Sequence, residues 1–396
     1  MPYKRLPAEE VSQRITGFQE LLETRGMEGA LIVQKVDLYY LSGTDQDAHL
    51  WVPQSGEPLL MVKENMERAL EDAGLEHIVP LSGFSQIPAL IQAHMGEKPG
   101  SIGLEMDVLP ANMYLAYRKL FPKTKIMDVS PLIRRLRMKK SPYEMDIFRR
   151  AAHMADRLFQ RIPGFIKESK TDMDLVLRAE AFYRTQGHPG LSRMRGFNRE
   201  CFYGHILTGA SGARPSATPG PTAGTGPGPF LSQGAGMNRL VPGAPILVDY
   251  TANVEGYLSD QTRIFSIGPL SENLLRAHAL MVEVQDAIAR EGRPGVPAGA
   301  LYDLALGIVE KAGLAEGFLG HPQPVPFVGH GLGLELDEWP ILGRGSRHTL
   351  QQGMVIALEP KMIFPGQGIM GIENTFVVSE QGMERLNRFP DEIVTV

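Results

Sequence analysis

Residues 246–265 read ILVDYTANVEGYLSDQTRIF, and residues 355–378 read VIALEPKMIFPGQGIMGIENTFVV. In each stretch two runs rich in apolar and β-branched residues flank a turn signal, Val254-Glu255-Gly256 in the first and Gly366 in the second. That pattern predicts a β-hairpin in both places. Asp249 and Asp260 are symmetric about the first turn, and Glu359 and Glu373 about the second, so each acidic pair is expected across its own strand ladder. Ile246-Leu247-Val248 and Val355-Ile356-Ala357-Leu358 are expected to put Asp249 and Glu359 at the ends of buried strands. Like charges facing each other on a sheet destabilise it. Carboxylates are also seldom buried without a partner or a metal. Two such pairs require a cation, and a metal site is the natural reading.

Between the hairpins lies PFVGHGLGLELDEWP, residues 326–340. Glycines on both sides of His330 let backbones approach closely, and a neutral imidazole is a common metal ligand. With the four acids it makes an oxygen-rich donor set, which suits Mn²⁺, Fe²⁺, Co²⁺ or Zn²⁺ better than a thiolate site would. Two ions at about 3.5–4 Å could share a water, lower its pKa and polarise a carbonyl. Gly366, Gly368 and Gly371 also spell the dinucleotide fingerprint, but no helix follows them, so they read as turn and bulge glycines.

The bulk numbers narrow the class. The chain has 396 residues, enough for two domains, with the hydrophobic (43%) and charged (21%) content of a soluble globular protein. A net charge of −5 argues against a nucleic-acid partner. The basic cluster Arg134, Arg135, Arg137, Lys139 and Lys140 reads as a solvated linker or helix start. The one cysteine, Cys201, excludes an internal disulfide and reads as a buried, inert thiol. No membrane-length apolar window and no leader pattern are present, so the expected setting is cytoplasmic.

Along the chain, an amphipathic helix is predicted over 9–26, a buried strand at 30–33, and a further strand-like run at Leu38–Leu41 before Gly43. Strands at 50–53, 58–62, 77–80 and 101–105 alternate with helices near 64–73, 85–95 and 110–120, which describes a three-layer α/β domain. Ser141-Pro142-Tyr143-Glu144 has capping-box spacing and opens a helix, and another follows Thr171-Asp172. Helices over 272–291 and 298–312 complete an α+β second half. Residues 209–236, GASGARPSATPGPTAGTGPGPFLSQGAG, form a long loop that is either functional or flexible.

Taken together, VDY…GYLSDQTRIF, GHGLGLELDEWP, LEP and GIENT are similar to the motifs of the creatinase/prolidase/aminopeptidase P family of pita-bread metallopeptidases. RITGFQELLETRGMEGALIV…DLYYLSGT resembles that family's N-terminal domain, and RMKKSPYEMDIFRRAAHMAD its domain junction. The resemblance implies an N-terminal domain over 1–133 and a pita-bread catalytic domain over 140–396. It also implies two divalent ions, Mn²⁺ favoured, and a homodimer. Asp249 would be terminal on one ion, and His330 would ligate the other. Asp260 and Glu373 would bridge them, Glu359 would be ligand and general base, and Arg263 would support the ligands from behind. Three histidines that serve Xaa-Pro peptidases as proton shuttles are replaced here, at the positions of Ser232, Pro326 and Asp337. His205, His321, Tyr203 and Asp337 are the candidates to fill that gap.

The leading expectation is a metal-dependent hydrolase of Xaa-Pro dipeptidase or aminopeptidase type, acting on a small peptide or amide. The alternatives are a family member that hydrolyses C–N bonds or catalyses elimination on a non-peptide substrate, or a metal-binding protein without peptidase activity.

Overall fold

The computed structural model describes residues 4–200, 202–218 and 220–396, so Cys201 lies outside the described residues. The chain divides into two compact units, Met1–Arg137 and Met138–Val396.

In the first unit a helix over Ala8–Thr24 precedes a six-stranded mixed sheet. Its strands are β1 (Gly29–Ile32), β2 (Ala48–Pro53), β3 (Leu59–Val62), β4 (His77–Pro80), β5 (Ser101–Leu104) and β6 (Lys125–Asp128), in the order β4-β3-β2-β1-β5-β6. Leu38–Leu41, read as strand-like, belongs instead to a helix over Lys35–Ser42. The local caps decide this: the Gln34 side chain accepts from the Asp37 backbone N–H, and Gly43 ends the helix at φ 87°. Arg137 is not solvated either. It is buried and paired with Asp37 at 2.6 Å. Lys140, at the start of the second unit, is likewise buried and bonded to Glu338 at 3.0 Å. The basic cluster therefore supplies two internal ion pairs.

The second unit opens with the helix Pro142–Lys167, whose Ser141–Glu144 capping box closes in both directions, and continues with the helix Asp172–Thr185. Its first sheet carries β7 (Gly204–Thr208), β8 (Pro245–Val254), β9 (Tyr257–Ser266) and, from the chain's last residues, β17 (Val394–Thr395), in the order β17-β9-β8-β7. Its second sheet carries β10 (Phe327–Gly331), β11 (Glu338–Gly343), β12 (Val355–Leu358), β15 (Asn374–Ser379) and β16 (Gly382–Arg385), in the order β11-β10-β12-β15-β16. A two-stranded ribbon, β13 (Lys361–Phe364) with β14 (Gly368–Gly371), extends from it.

Alternation along β8 separates two cores. Ile246, Val248, Tyr250 and Ala252 pack with the helices Pro142–Lys167 and Asp172–Thr185. Leu247 joins the other core, formed with the helices Glu272–Glu291 and Ala298–Lys311. Side chains one residue apart on a strand face opposite ways, so Asp249 and Thr251 share the face of Leu247. Among the described residues no helix is long and apolar enough to cross a membrane.

One group in the first unit carries a measurable pH signature. His49 on β2 is 8% exposed, with Nε2 2.8 Å from the Tyr117 hydroxyl. Burial lowers its pKa from 6.5 to about 4, with the charges of Asp47 and Lys63 acting in opposite directions. The unfolded chain takes up this proton first, so the stability His49 provides is complete above pH 6.5 and is lost as pH falls from there to about 4. The loss is about 3 kcal/mol. Urea unfolding followed by tryptophan fluorescence should show that extra acid sensitivity in the wild type, and His49→Gln should remove it.

Candidate metal centre

The hairpin β8–β9 turns at Glu255-Gly256, with φ 50° and 90°, which is two-residue turn geometry that glycine favours. The turn is centred one residue beyond the symmetric reading, and the ladder moves with it. Asp249 faces Thr262, and Thr251 faces Asp260. The two aspartates are thus diagonal neighbours on one face, two residues off direct opposition. Asp249 also stands in the middle of a ten-residue strand rather than at its end.

The second hairpin is a long ribbon interrupted once. Leu358 pairs with Asn374 and Lys361 with Gly371, so both halves keep a common register. Glu359 and Glu373 sit opposite each other in the gap. Their backbone amides go elsewhere, Glu359 N–H to Val328 O and Glu373 N–H to Thr262 O. This break brings the ribbon against β9, where Thr262 Oγ1 donates to Glu373 Oε2 at 2.9 Å.

His330 enters from β10, which lies between β11 and β12. Its glycine neighbours are required there. A Cβ on Gly329 would stand 2.5 Å from Ala357 O, and one on Gly331 2.3 Å from Trp339 O. His330 Nδ1 lies 3.1 Å from Gly331 O, and a carbonyl only accepts, so Nδ1 carries the hydrogen. Nε2, the nitrogen left to bind a metal, faces the acids, 3.7 Å from Glu359 Oε1 and 4.0 Å from Glu373 Oε1.

All five expected ligands thus converge, with Asp260, His330, Glu359 and Glu373 buried. Asp260, His330 and Glu373 each offer a ligand atom within 4.8 Å of the others, a donor set of two carboxylates and an imidazole that fits a divalent ion.

Lys361 was not among the sequence candidates. It is one of the largest fully buried side chains, and its Nζ donates to Asp249 Oδ2 (3.0 Å), Glu359 Oε2 (2.9 Å) and Glu373 Oε2 (2.8 Å). Three ammonium hydrogens meet three carboxylates. The route to this position depends on Gly371, opposite Lys361 in the ladder, where a Cβ would come within 2.8 Å of Lys361 Cγ. Two sequence signals point to it: residue 361 shares the strand face of residue 359, and its cross-strand partner has no side chain.

The electrostatics follow from this geometry. Burial and then the charge of Asp249 push Asp260 up to about 7. Burial and the charge of Asp260 push Glu373 well above the usual carboxylate range. Burial acts on Asp249 in the same sense, but Lys361 and His205 outweigh it and hold that carboxyl low. Burial would lower Lys361; the charges of Asp249, Glu359 and Glu373 outweigh it and keep the ammonium protonated.

Arg263 lies behind the cage. It is fully buried and donates to the backbone carbonyls of Thr262, Glu373, Phe389 and Pro390 and to Asn374 Oδ1, with Asp391 at 2.9 Å. It holds the backbone that carries Glu373, not a ligand oxygen.

The cage forms the floor of a cavity of about 300 Å³. His205 lines it, facing Asp249 across the β7–β8 ladder with Nε2 3.5 Å from Oδ2. Thr222 Oγ1 lies 3.1 Å from the same nitrogen and comes from the Gly/Pro-rich loop, which lines the cavity with Thr218, Pro221 and Gln233 as well. Asp337 also lines it. His321, Tyr203, Ser232 and Pro326 are not among its lining residues. His321 precedes a cis proline in the turn before β10, and Ser232 bonds to Ser216.

An acid-and-imidazole cage set between two sheets with helices outside them defines a metallohydrolase-type domain. Residues 146–380 match the model for metallopeptidase family M24, and residues 14–139 match the creatinase/prolidase N-terminal domain. The chain belongs to metallopeptidase family M24. It is 25% identical to an Xaa-Pro dipeptidase of Pyrococcus horikoshii over 384 residues, 97% of this chain and 99% of that one. Its fold is similar to the crystal structure of dipeptidase PepE from Mycobacterium ulcerans, with TM-score 0.81 and 25% identity over 99% of this chain and 100% of that one. It is also similar to an Xaa-Pro dipeptidase from Bacillus anthracis, with TM-score 0.83 and 22% identity over 98% and 100%. The α/β N-terminal domain and the pita-bread domain expected from the motifs are both present.

Removing one member of a buried ion cluster leaves the others uncompensated, at a cost of about 3–5 kcal/mol. Lys361→Met should therefore lose stability of that order in protein held in chelator, as read from urea denaturation.

Proposed function

We propose that this chain is a metal-dependent hydrolase that cleaves small peptides, Xaa-Pro dipeptides foremost. The observation that carries this reading is the convergence of Asp260, His330, Glu359 and Glu373 on the floor of a cavity sized for a small ligand. The names of the relatives support the substrate class. A divalent ion held by these residues would supply Lewis acidity to a carbonyl and acidify a water. Mn²⁺ suits a set of three carboxylates and one imidazole. A homodimer completes the reading on the strength of the family resemblance, and a cytoplasmic setting on the single cysteine, which fits a reducing compartment.

The chain's own groups then divide the work. Gly331 O fixes the His330 ring with Nε2 turned to the acids, and Thr262 fixes the Glu373 carboxylate. Glu359, with Oε1 turned towards His330, is the proton acceptor. His205, between Asp249 and Thr222 on the cavity wall, is the proton carrier towards the leaving group. Asp337 faces the cavity in the segment where Xaa-Pro peptidases carry a histidine, and it has the charge to receive a substrate's free amine.

Turnover of Xaa-Pro dipeptides should require Mn²⁺ or Co²⁺ and disappear with chelator. His330→Ala and Asp260→Asn should abolish it. His205→Gln should lower kcat by about 10²–10⁴, while His321→Gln should leave it unchanged. If no Xaa-Pro peptide turns over with any metal while amidino, acylamino or sulfonio acids do, the peptide reading is replaced by the non-peptide one.

A further inference from the structure

The family resemblance implies two ions, and the donor set at Asp249 does not fit the first of them. Asp249 Oδ2, Glu359 Oε2 and Glu373 Oε2 surround a point already taken by Lys361 Nζ at 2.8–3.0 Å from each. An ion at the centre of those oxygens would sit about 2.0–2.2 Å from them. It would then lie within contact of the ammonium, with charge of the same sign. One cation can use these oxygens at a time.

Displacing the lysine is not a matter of a surface side chain turning away. Its stem runs in the space left by Gly371 and is 1% exposed. An ammonium moved off its three carboxylates would give up all three charge-assisted bonds and leave those buried acids uncompensated, which is strongly disfavoured.

The other half of the cage stays open to a metal. Glu359 and Glu373 each give one oxygen to the ammonium and turn the second towards His330. Asp260, His330 and Glu373 lie close enough to share an ion. We infer that Lys361 is a resident cation in place of one metal, so that the chain binds a single divalent ion on the Asp260–His330 side. Glu359 and Glu373 hold the ammonium with one oxygen each, and their second oxygens, on the His330 side, would be the ones left for that ion. All three Nζ hydrogens are committed to carboxylates, so Lys361 neutralises charge and positions those two acids without offering a hydrogen to substrate.

This inference rests on the metal-dependent reading above, and metal stoichiometry separates the two. The full-length chain, stripped with chelator and re-equilibrated with excess Mn²⁺ alone, should hold one ion per chain by elemental analysis. It should give the EPR signal of isolated Mn²⁺. Lys361→Met, produced and kept in Mn²⁺, should hold two ions and show a spin-coupled pair. One ion in the variant would overturn the inference, because the lysine would then not be what excludes the second. Two ions in the wild type would overturn it while leaving the metal-dependent reading intact. No ion in the wild type would overturn both. Should the variant fail to fold, a wild-type crystal soaked in Mn²⁺ decides the question. A single anomalous peak beside His330 supports the inference, and a second peak among Asp249, Glu359 and Glu373 overturns it.

Discussion

Four carboxylates within one small volume, three of them buried, are the constraint on which the catalytic unit depends. Ionised and alone they would repel one another, and protonated they would lose their use. Burial pushing Asp260 to about 7 and Glu373 well above its usual range expresses that conflict. Positive charge resolves it, and the lysine supplies the part that is covalently guaranteed. The remaining carboxylate oxygens turn to the His330 side, where Nε2 of the imidazole faces them.

The architecture serves this one requirement. The β8–β9 face turned away from the first pair of helices brings Asp249 and Asp260, and Thr262 bridges that sheet to the ribbon. The gap in the ribbon frees two glutamates from ladder geometry, and Gly329 and Gly331 let β10 close in so that His330 can reach them. Arg263 then ties the backbone at Glu373 to the chain segment at Phe389 and Pro390. A buried arginine spending its hydrogens on carbonyls is a device for fixing backbone, so the cage is held from behind as well as from its own strands.

Much of this was legible in the sequence because strand periodicity is a local property. The pairing of Glu359 with Glu373 follows from symmetry about Gly366, and the capping box at Ser141 predicts its helix from four residues. The Asp249–Asp260 offset was not legible, because it depends on which two residues occupy the turn, and Glu255 adopts a positive φ that its residue type does not announce. Leu38–Leu41 reads as a strand by composition, yet caps on either side make it helical. Lys361 was hidden for a different reason. A lysine after a proline at the head of a short strand has the look of a solvated end; the strand face and Gly371 aim it inward, and the three carboxylates that meet at its tip are a tertiary fact. Arg137 and Lys140 were misread on the same ground.

The pairing of Lys361 with Gly371 has an evolutionary reading. The strand pleat aims position 361 into the cage whatever residue stands there, and position 371 decides whether a long side chain has room to arrive. The choice between an inorganic cation and an organic one is therefore written in two codons facing each other across a single ladder rung. A lineage could pass between the two states without moving a ligand, changing a strand or altering the fold. Metal number in such a centre is then set by one ladder rung, separately from the cage around it.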